Sequence, residues 1–164
     1  MLRILFALAL VLASASGARA ACVASAMRPW GGLVIEAKAH GASCPKAVVS
    51  LVVRNGAKVL WKQAAPASSL MIFTQNPPAN GNAMIKALKQ WISSDGFAQT
   101  TDKLKTSGEF PFEPDAALDP QAFKKLRQAR LPVFCYVQGM ESARCLGLRV
   151  DGAVIDLGVQ LFPG

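Results

Sequence analysis

The chain has 164 residues, 52% of them hydrophobic, and its 18 Lys and Arg against 10 Asp and Glu give a net charge of +8. That charge favours anionic neighbours such as lipid head groups, acidic glycans or cell-wall polymers. One histidine and four cysteines leave little equipment for acid–base or metal chemistry.

Arg3 precedes an unbroken apolar run from Ile4 to Ala13, and Ser14, Ser16 and Gly17 lead into Ala18-Arg19-Ala20. A charged start, an apolar stretch of about ten residues and a small-x-small site form a secretory signal peptide, whereas a membrane-spanning helix needs about twenty apolar residues. Residues 1–20 are therefore read as a signal peptide and residues 21–164 as a single secreted domain, periplasmic or released. Loss of Arg3 and Arg19 takes the charge from +8 to +6. No later apolar segment reaches bilayer length, so no transmembrane segment is expected. Nucleic acid is not an expected partner outside the cell.

In an exported chain, Cys22, Cys44, Cys135 and Cys145 read as two disulfides. The sequential pairing Cys22–Cys44 and Cys135–Cys145 fits the strand pattern. A lipidated Cys22 would need a Leu-like residue where Arg19 stands, and would leave Cys44 unpaired. No Cys-x-x-Cys or zinc spacing occurs, and neither metal nor cofactor is expected.

Leu33 to His40 alternates, with Leu33, Ile35, Ala37 and Ala39 on one face, and predicts a half-buried strand. Ala47–Val53 and Ala57–Lys62 flank Asn55-Gly56, a hairpin signal that sets Val53 opposite Lys58 and Leu51 opposite Leu60. Val49, Leu51 and Leu60 on one face, with Val52, Val59 and Trp61 on the other, predict a ribbon covered on both sides. Leu70 to Thr74 reads as a further short strand. After Asn76-Pro77-Pro78, Asn80 or Asn82 caps a helix through about Ser94, with Met84, Ile85, Leu88, Trp91 and Ile92 on one stripe.

The stretch Gly96–Leu118 has little regular pattern, and long loops of that kind are usually functional or mobile. It carries Phe97, Phe110 and Phe112, with a short helical turn near Thr101 to Lys105. Asp119 followed by Pro120 starts a second helix that ends near Arg130, because Pro132 disfavours helical geometry at Leu131. Val133–Gln138, Ala143–Val150 and Ala153–Phe162 predict three strands, the last two joined at Asp151-Gly152. That register faces Leu148 with Ile155 and Leu146 with Leu157 and lets Arg149 pair with Asp156, while a three- or five-residue loop around Met140 brings Cys135 opposite Cys145. The fold class is α+β: a mainly antiparallel sheet built from hairpins, with two helices inserted between N- and C-terminal strand groups and two disulfides.

No Gly-x-Ser-x-Gly, His-Glu-x-x-His or phosphate-binding loop appears, so no catalytic residue is assigned. His40 is coupled at most to Glu36 on its own strand face. The candidate contact surface is the second helix, through Lys124, Lys125, Arg127 and Arg130, joined by Phe110 and Phe112 of the preceding loop. Trp30, Trp61 and Trp91 could line a sugar or peptide groove, yet two of them fall on apolar stripes and read more simply as core residues. The expected function is an exported binding or accessory protein of the cell envelope, non-catalytic, docking on anionic envelope components or an acidic protein. The alternatives are a carboxylate-dependent glycan hydrolase built on Glu109, Glu113, Asp115 and Asp119, or an inhibitor of an envelope or host enzyme. Oligomeric state leaves no mark in the sequence.

Overall fold

A computed structural model describes residues 21–163, and the signal-peptide assignment of residues 1–20 lies outside them. The described chain opens with an antiparallel meander in the order β1 (Cys22–Trp30), β2 (Leu33–Gly41), β3 (Val48–Asn55) and β4 (Lys58–Pro66). β2 has the expected inner face of Leu33, Ile35, Ala37 and Ala39. β1 escapes sequence reading because its larger apolar side chains, Val23 and Met27, point outward while Cys22, Ala24 and Ala26 point inward. Its Pro29 is tolerated because β1 is an edge strand. Gly31 and Gly32, at φ +54° and +82°, close β1 onto β2 in a two-residue turn that needs positive φ at both positions.

Two expectations for the next hairpin are corrected. The central turn residues are Gly56 and Ala57, with Asn55 paired to Lys58. Only Gly56 has positive φ, at +54°, the requirement of a type II′ turn rather than the expected I′ turn. The register then shifts between Val53 and Arg54, which leaves Leu60 as the extra residue and turns Trp61 inward, opposite Val53. The ribbon is also covered on one side only: Val49, Leu51 and Val53 are buried, while Val48 and Val59 are exposed.

Leu70–Thr74 is not a strand. After Pro66 and a 3-10 turn at Ala67–Ser69, Met71–Thr74 forms a single helical turn, α1, which buries Phe73 together with Leu70. Helix α2 (Gly81–Trp91) starts as expected, with Asn80 Oδ1 accepting from the Ala83 amide at 3.0 Å. It stops at Trp91, short of Ser94, where the Ser93 hydroxyl takes the Gln90 carbonyl and draws the chain out of the helix. Ala24, Ala26, Ala37 and Ala39 keep the inner face of β1 and β2 shallow, and α2 packs there through Met84, Leu88 and Trp91.

The second sheet has the order β5 (Phe112–Pro114), β8 (Val154–Leu161), β7 (Ser142–Leu148) and β6 (Val133–Val137). Helix α3 (Pro120–Gln128) lies between β5 and β6 in the chain and is capped by Asp119 Oδ1, which accepts from the amides of Gln121 and Ala122. The β7–β8 loop has three residues rather than two, with Gly152 at φ +81°, so Leu148 faces Val154 and Leu146 faces Asp156. Arg149 accordingly pairs with Asp151 at 3.0 Å, and Asp156 pairs with Arg144. A bulge at Leu157 restores Cys145 opposite Gly158. Gly158 has φ +125°, and a Cβ there would overlap the Glu113 carbonyl oxygen, so only glycine admits β5 alongside.

Both disulfides form with the expected pairing, Cys22–Cys44 and Cys135–Cys145, the second between directly opposed residues of β6 and β7. Closing so short a loop stabilises by about 2–3 kcal/mol on the chain-entropy model.

The long segment before α3 is packed rather than loose. From Trp91 to Thr101 it covers the free edge of β6: Ser94 Oγ accepts from the Cys135 amide at 3.1 Å, and Val133 donates to Gln99 O at 2.9 Å. The expected helical turn is present at Thr101–Lys103. Thr101 donates to Leu126 O at 2.6 Å and accepts from the Leu131 amide at 3.0 Å, which ties down the C-terminal end of α3. The remainder becomes β5.

Side chains on β6 and β7 alternate between two clusters. Phe134, Tyr136, Leu146 and Leu148 join the inner face of the first sheet. Val133, Cys135, Ala143 and Cys145 join Leu157, Leu104, Phe112 and Phe123. The order of layers is thus first sheet, second sheet, α3, and the outer face of the first sheet lies at the opposite end of the stack from α3.

Tyr136 is the only tyrosine in the chain. Its ring centroid lies 5.5 Å from Trp61, 6.0 Å from Trp91 and 5.9 Å from Phe134, and its hydroxyl bonds the side chain of Gln63 on β4. Burial raises its pKa, against a lowering by the Arg144 charge. Between the unfolded and folded values the unfolded state holds fewer protons, so the contribution of Tyr136 is complete below about pH 10 and declines as pH rises above it. A near-ultraviolet absorbance titration should show no tyrosinate at the ordinary tyrosine range until the protein unfolds. A normal titration in the folded state would contradict the burial of this phenol.

Candidate functional site

The second helix carries its cations as expected, but the fold distributes them over two flanks. Lys124, Arg127 and Arg130 line a groove of about 780 Å³ between α3 and the Asp102–Pro114 segment, whose base is Phe112 and Phe123. Those two rings stack nearly parallel, centroids 5.7 Å apart and planes at 9°. Lys125 faces the other flank, in a largely apolar groove of about 700 Å³ with Leu126, Ile155, Arg149 and Val150.

The sequence candidates Phe110 and Phe112 also separate. Phe112 is 2% exposed and supports the groove from beneath. Phe110 is 37% exposed and lines a small pocket with Lys103, Lys105, Phe97 and Phe162. Lys103 and Lys105 thus line this pocket and not the α3 groove.

Within the groove, Arg127 reaches Asp102 O at 3.3 Å and Thr106 Oγ1 at 3.5 Å, both long for hydrogen bonds, and its Nε has no partner among the described residues. The guanidinium is held in place with donor capacity to spare. Asp102 is the one carboxylate in the lining. A hydrogen bond from the Thr100 side chain, aided by Lys103 and Arg130, holds it below its ordinary pKa against the opposing effect of burial. It lies 3.7 Å from Arg130 Nε. Asp102 and Thr106 are more than twenty residues before Arg127, and no local sequence signal joins them to the helix.

Arg130 follows the helix at φ +51°, the left-handed conformation in which glycine is the usual residue. Its side chain is 78% exposed. An L-residue there costs about 1 kcal/mol relative to glycine. The 3.7 Å pair with Asp102, in which the Arg130 side chain is mostly in water, returns less than that.

The carboxylates before α3 have local duties. Asp119 caps the helix and Asp115 Oδ1 accepts from the Ala117 amide at 2.9 Å. Glu109 and Glu113 are exposed, and no group of three or more His, Cys, Asp and Glu suited to a metal ion occurs among the described residues. His40 is exposed at the end of β2, while Glu36 is buried and held by Lys38 at 2.9 Å and Arg54 at 2.7 Å, so the two do not meet. Trp91 is buried, and Trp30 and Trp61 pack half-buried on the aromatic core.

Comparison with protein-family models, with curated proteins and with solved structures gives no match. The groove is therefore read from its own residues.

Arg130→Gly should raise stability by up to about 1 kcal/mol, read by chemical denaturation, because it relieves the left-handed residue. A fall in stability would show that the Arg130 side chain is a structural tie and not a free cation at the groove.

Proposed function

We propose that the chain is an exported, disulfide-stapled binding protein of the cell envelope, without catalysis, that docks on anionic envelope material through the α3 groove. The observation that carries this is the convergence of Lys124, Arg127 and Arg130 on one groove whose lining holds a single carboxylate. Two disulfides suit an oxidising compartment, and residues 1–20 supply the export signal. No helix among the described residues is long and apolar enough to cross a membrane.

Each Lys or Arg near an anionic surface contributes about 1 kcal/mol, and the attraction falls as salt shortens the Debye length from about 30 Å at 0.01 M to about 8 Å at 0.15 M. Phosphate or carboxylate groups of an envelope polymer would meet the under-bonded guanidinium of Arg127 on a firm aromatic base. An acidic protein offers the same carboxylates, so the experiment must separate the two sources.

The test uses oxidised protein produced with residues 1–20 in place, so that export removes them, and isolated envelope fractions across a salt series. Beside it runs a variant with Lys124, Lys125, Arg127 and Arg130 changed to Gln. Salt-sensitive binding should weaken on the order of a hundredfold or more in the variant. Binding that survives protease treatment of the envelope identifies a polymer, and loss identifies an acidic protein. Equal binding by both proteins would reject the groove as the contact.

A further inference from the structure

We propose that the outer face of the first sheet is a second docking surface, and that its occupant is an anionic lipid bilayer. The four strands place cross-strand rows on this face: Val23, His40, Val48 and Pro66 in one, Met27, Glu36, Val52 and Lys62 in another. Of the eight large apolar residues exposed on the described chain, Val23, Met27, Val34, Val48 and Val59 all belong to it. Val23 is 72% and Met27 66% exposed. The buried clusters account for the inner face alone, and α2 and the second sheet both pack on that side.

Charge selects the occupant. The face carries Lys38, Arg54 and Lys62, and its only carboxylate, Glu36, is 7% exposed and tied to Lys38 at 2.9 Å and Arg54 at 2.7 Å. No free negative charge is presented, so an anionic partner meets no repulsion, whereas a second copy of the face would meet its own cations.

Apolar contact flanked by Lys and Arg is the combination that anionic leaflets attract. This surface is independent of the α3 groove, which lies at the other end of the layers.

The probe is vesicles of phosphatidylcholine with phosphatidylglycerol, set against phosphatidylcholine alone, and binding is read by sedimentation. The oxidised protein should bind the anionic vesicles. Met27→Gln with Val48→Thr should weaken binding about tenfold, and Lys62→Gln, which leaves the pairs of Lys38 and Arg54 with Glu36 intact, about fivefold, each at unchanged melting temperature. The four-fold glutamine variant of α3 should bind vesicles like the wild type. The proposal is overturned if wild-type protein ignores anionic vesicles, if both sheet variants bind undiminished, or if the α3 variant alone loses binding. It is also overturned if the protein dimerises in solution and the Met27 and Val48 changes make it monomeric, which would assign the face to a second copy.

Discussion

Burial of Tyr136 between the two sheets is the constraint on which the rest of the molecule depends. A phenol taken out of water needs a partner for its hydroxyl, and here the partner is Gln63, on a strand of the other sheet. Its ring gathers Trp61 from β4, Trp91 from α2 and Phe134 from its own strand. Three elements far apart in the chain are thereby fixed against one side chain, and the Trp91 indole adds a 2.8 Å bond to Val137 O. The β4 bulge is what makes this possible, because without the extra residue Leu60 the Trp61 ring would turn to the outer face.

Once Tyr136 points inward, alternation sends Cys135 and Val133 the other way, and the second cluster forms around the Cys135–Cys145 bridge. Phe112 and Phe123 complete that cluster, so β5 and α3 are held by the same strand that holds the aromatic core. Thr101 then fixes the C-terminal end of α3, and Gly158 lets β5 run close beside β8. The position of the basic groove is thus a remote consequence of the inter-sheet packing, reached through one strand of five residues.

Features written locally were legible in the sequence. The caps at Asn80 and Asp119, the alternation of β2 and the opposition of Cys135 and Cys145 each depend on residues close together in the chain or on one pattern with period two. Hairpins were found but misregistered, because Asn-Gly and Asp-Gly mark a turn without stating which residues occupy its centre; bulges at Leu60 and Leu157 then reset the pairing. β1 was illegible because its pattern is inverted, with alanine and cysteine inside and Val23 and Met27 outside. The segment from Gly96 to Leu118 read as a loop because its order comes from β6 and β8, partners up to about fifty residues away in the chain. For the same reason the four cations of α3 were identified as a set, while their division between two flanks, and the contacts of Arg127 and Arg130 with Asp102 and Thr106, depended on where the helix lands.

The two outer layers differ in how far ordinary folding accounts for them. On α3, Asp119 at the start and Lys125, Arg127 and Arg130 toward the end follow the helix macrodipole, which favours that polarity whatever the ligand. The dipole does not account for the long, unsaturated contacts of Arg127, nor for an arginine where glycine would relax the backbone. On the first sheet the imbalance is larger. Valine supports the strands through its β propensity, but threonine on that face would do the same without exposing apolar area, and methionine in water gains the fold little. Burying Glu36 under two cations on the same face adds a further desolvation cost that a solvent-facing sheet does not require. Apolar groups left in water beside a carboxylate sequestered from it form a surface organised for contact, and its sign is positive.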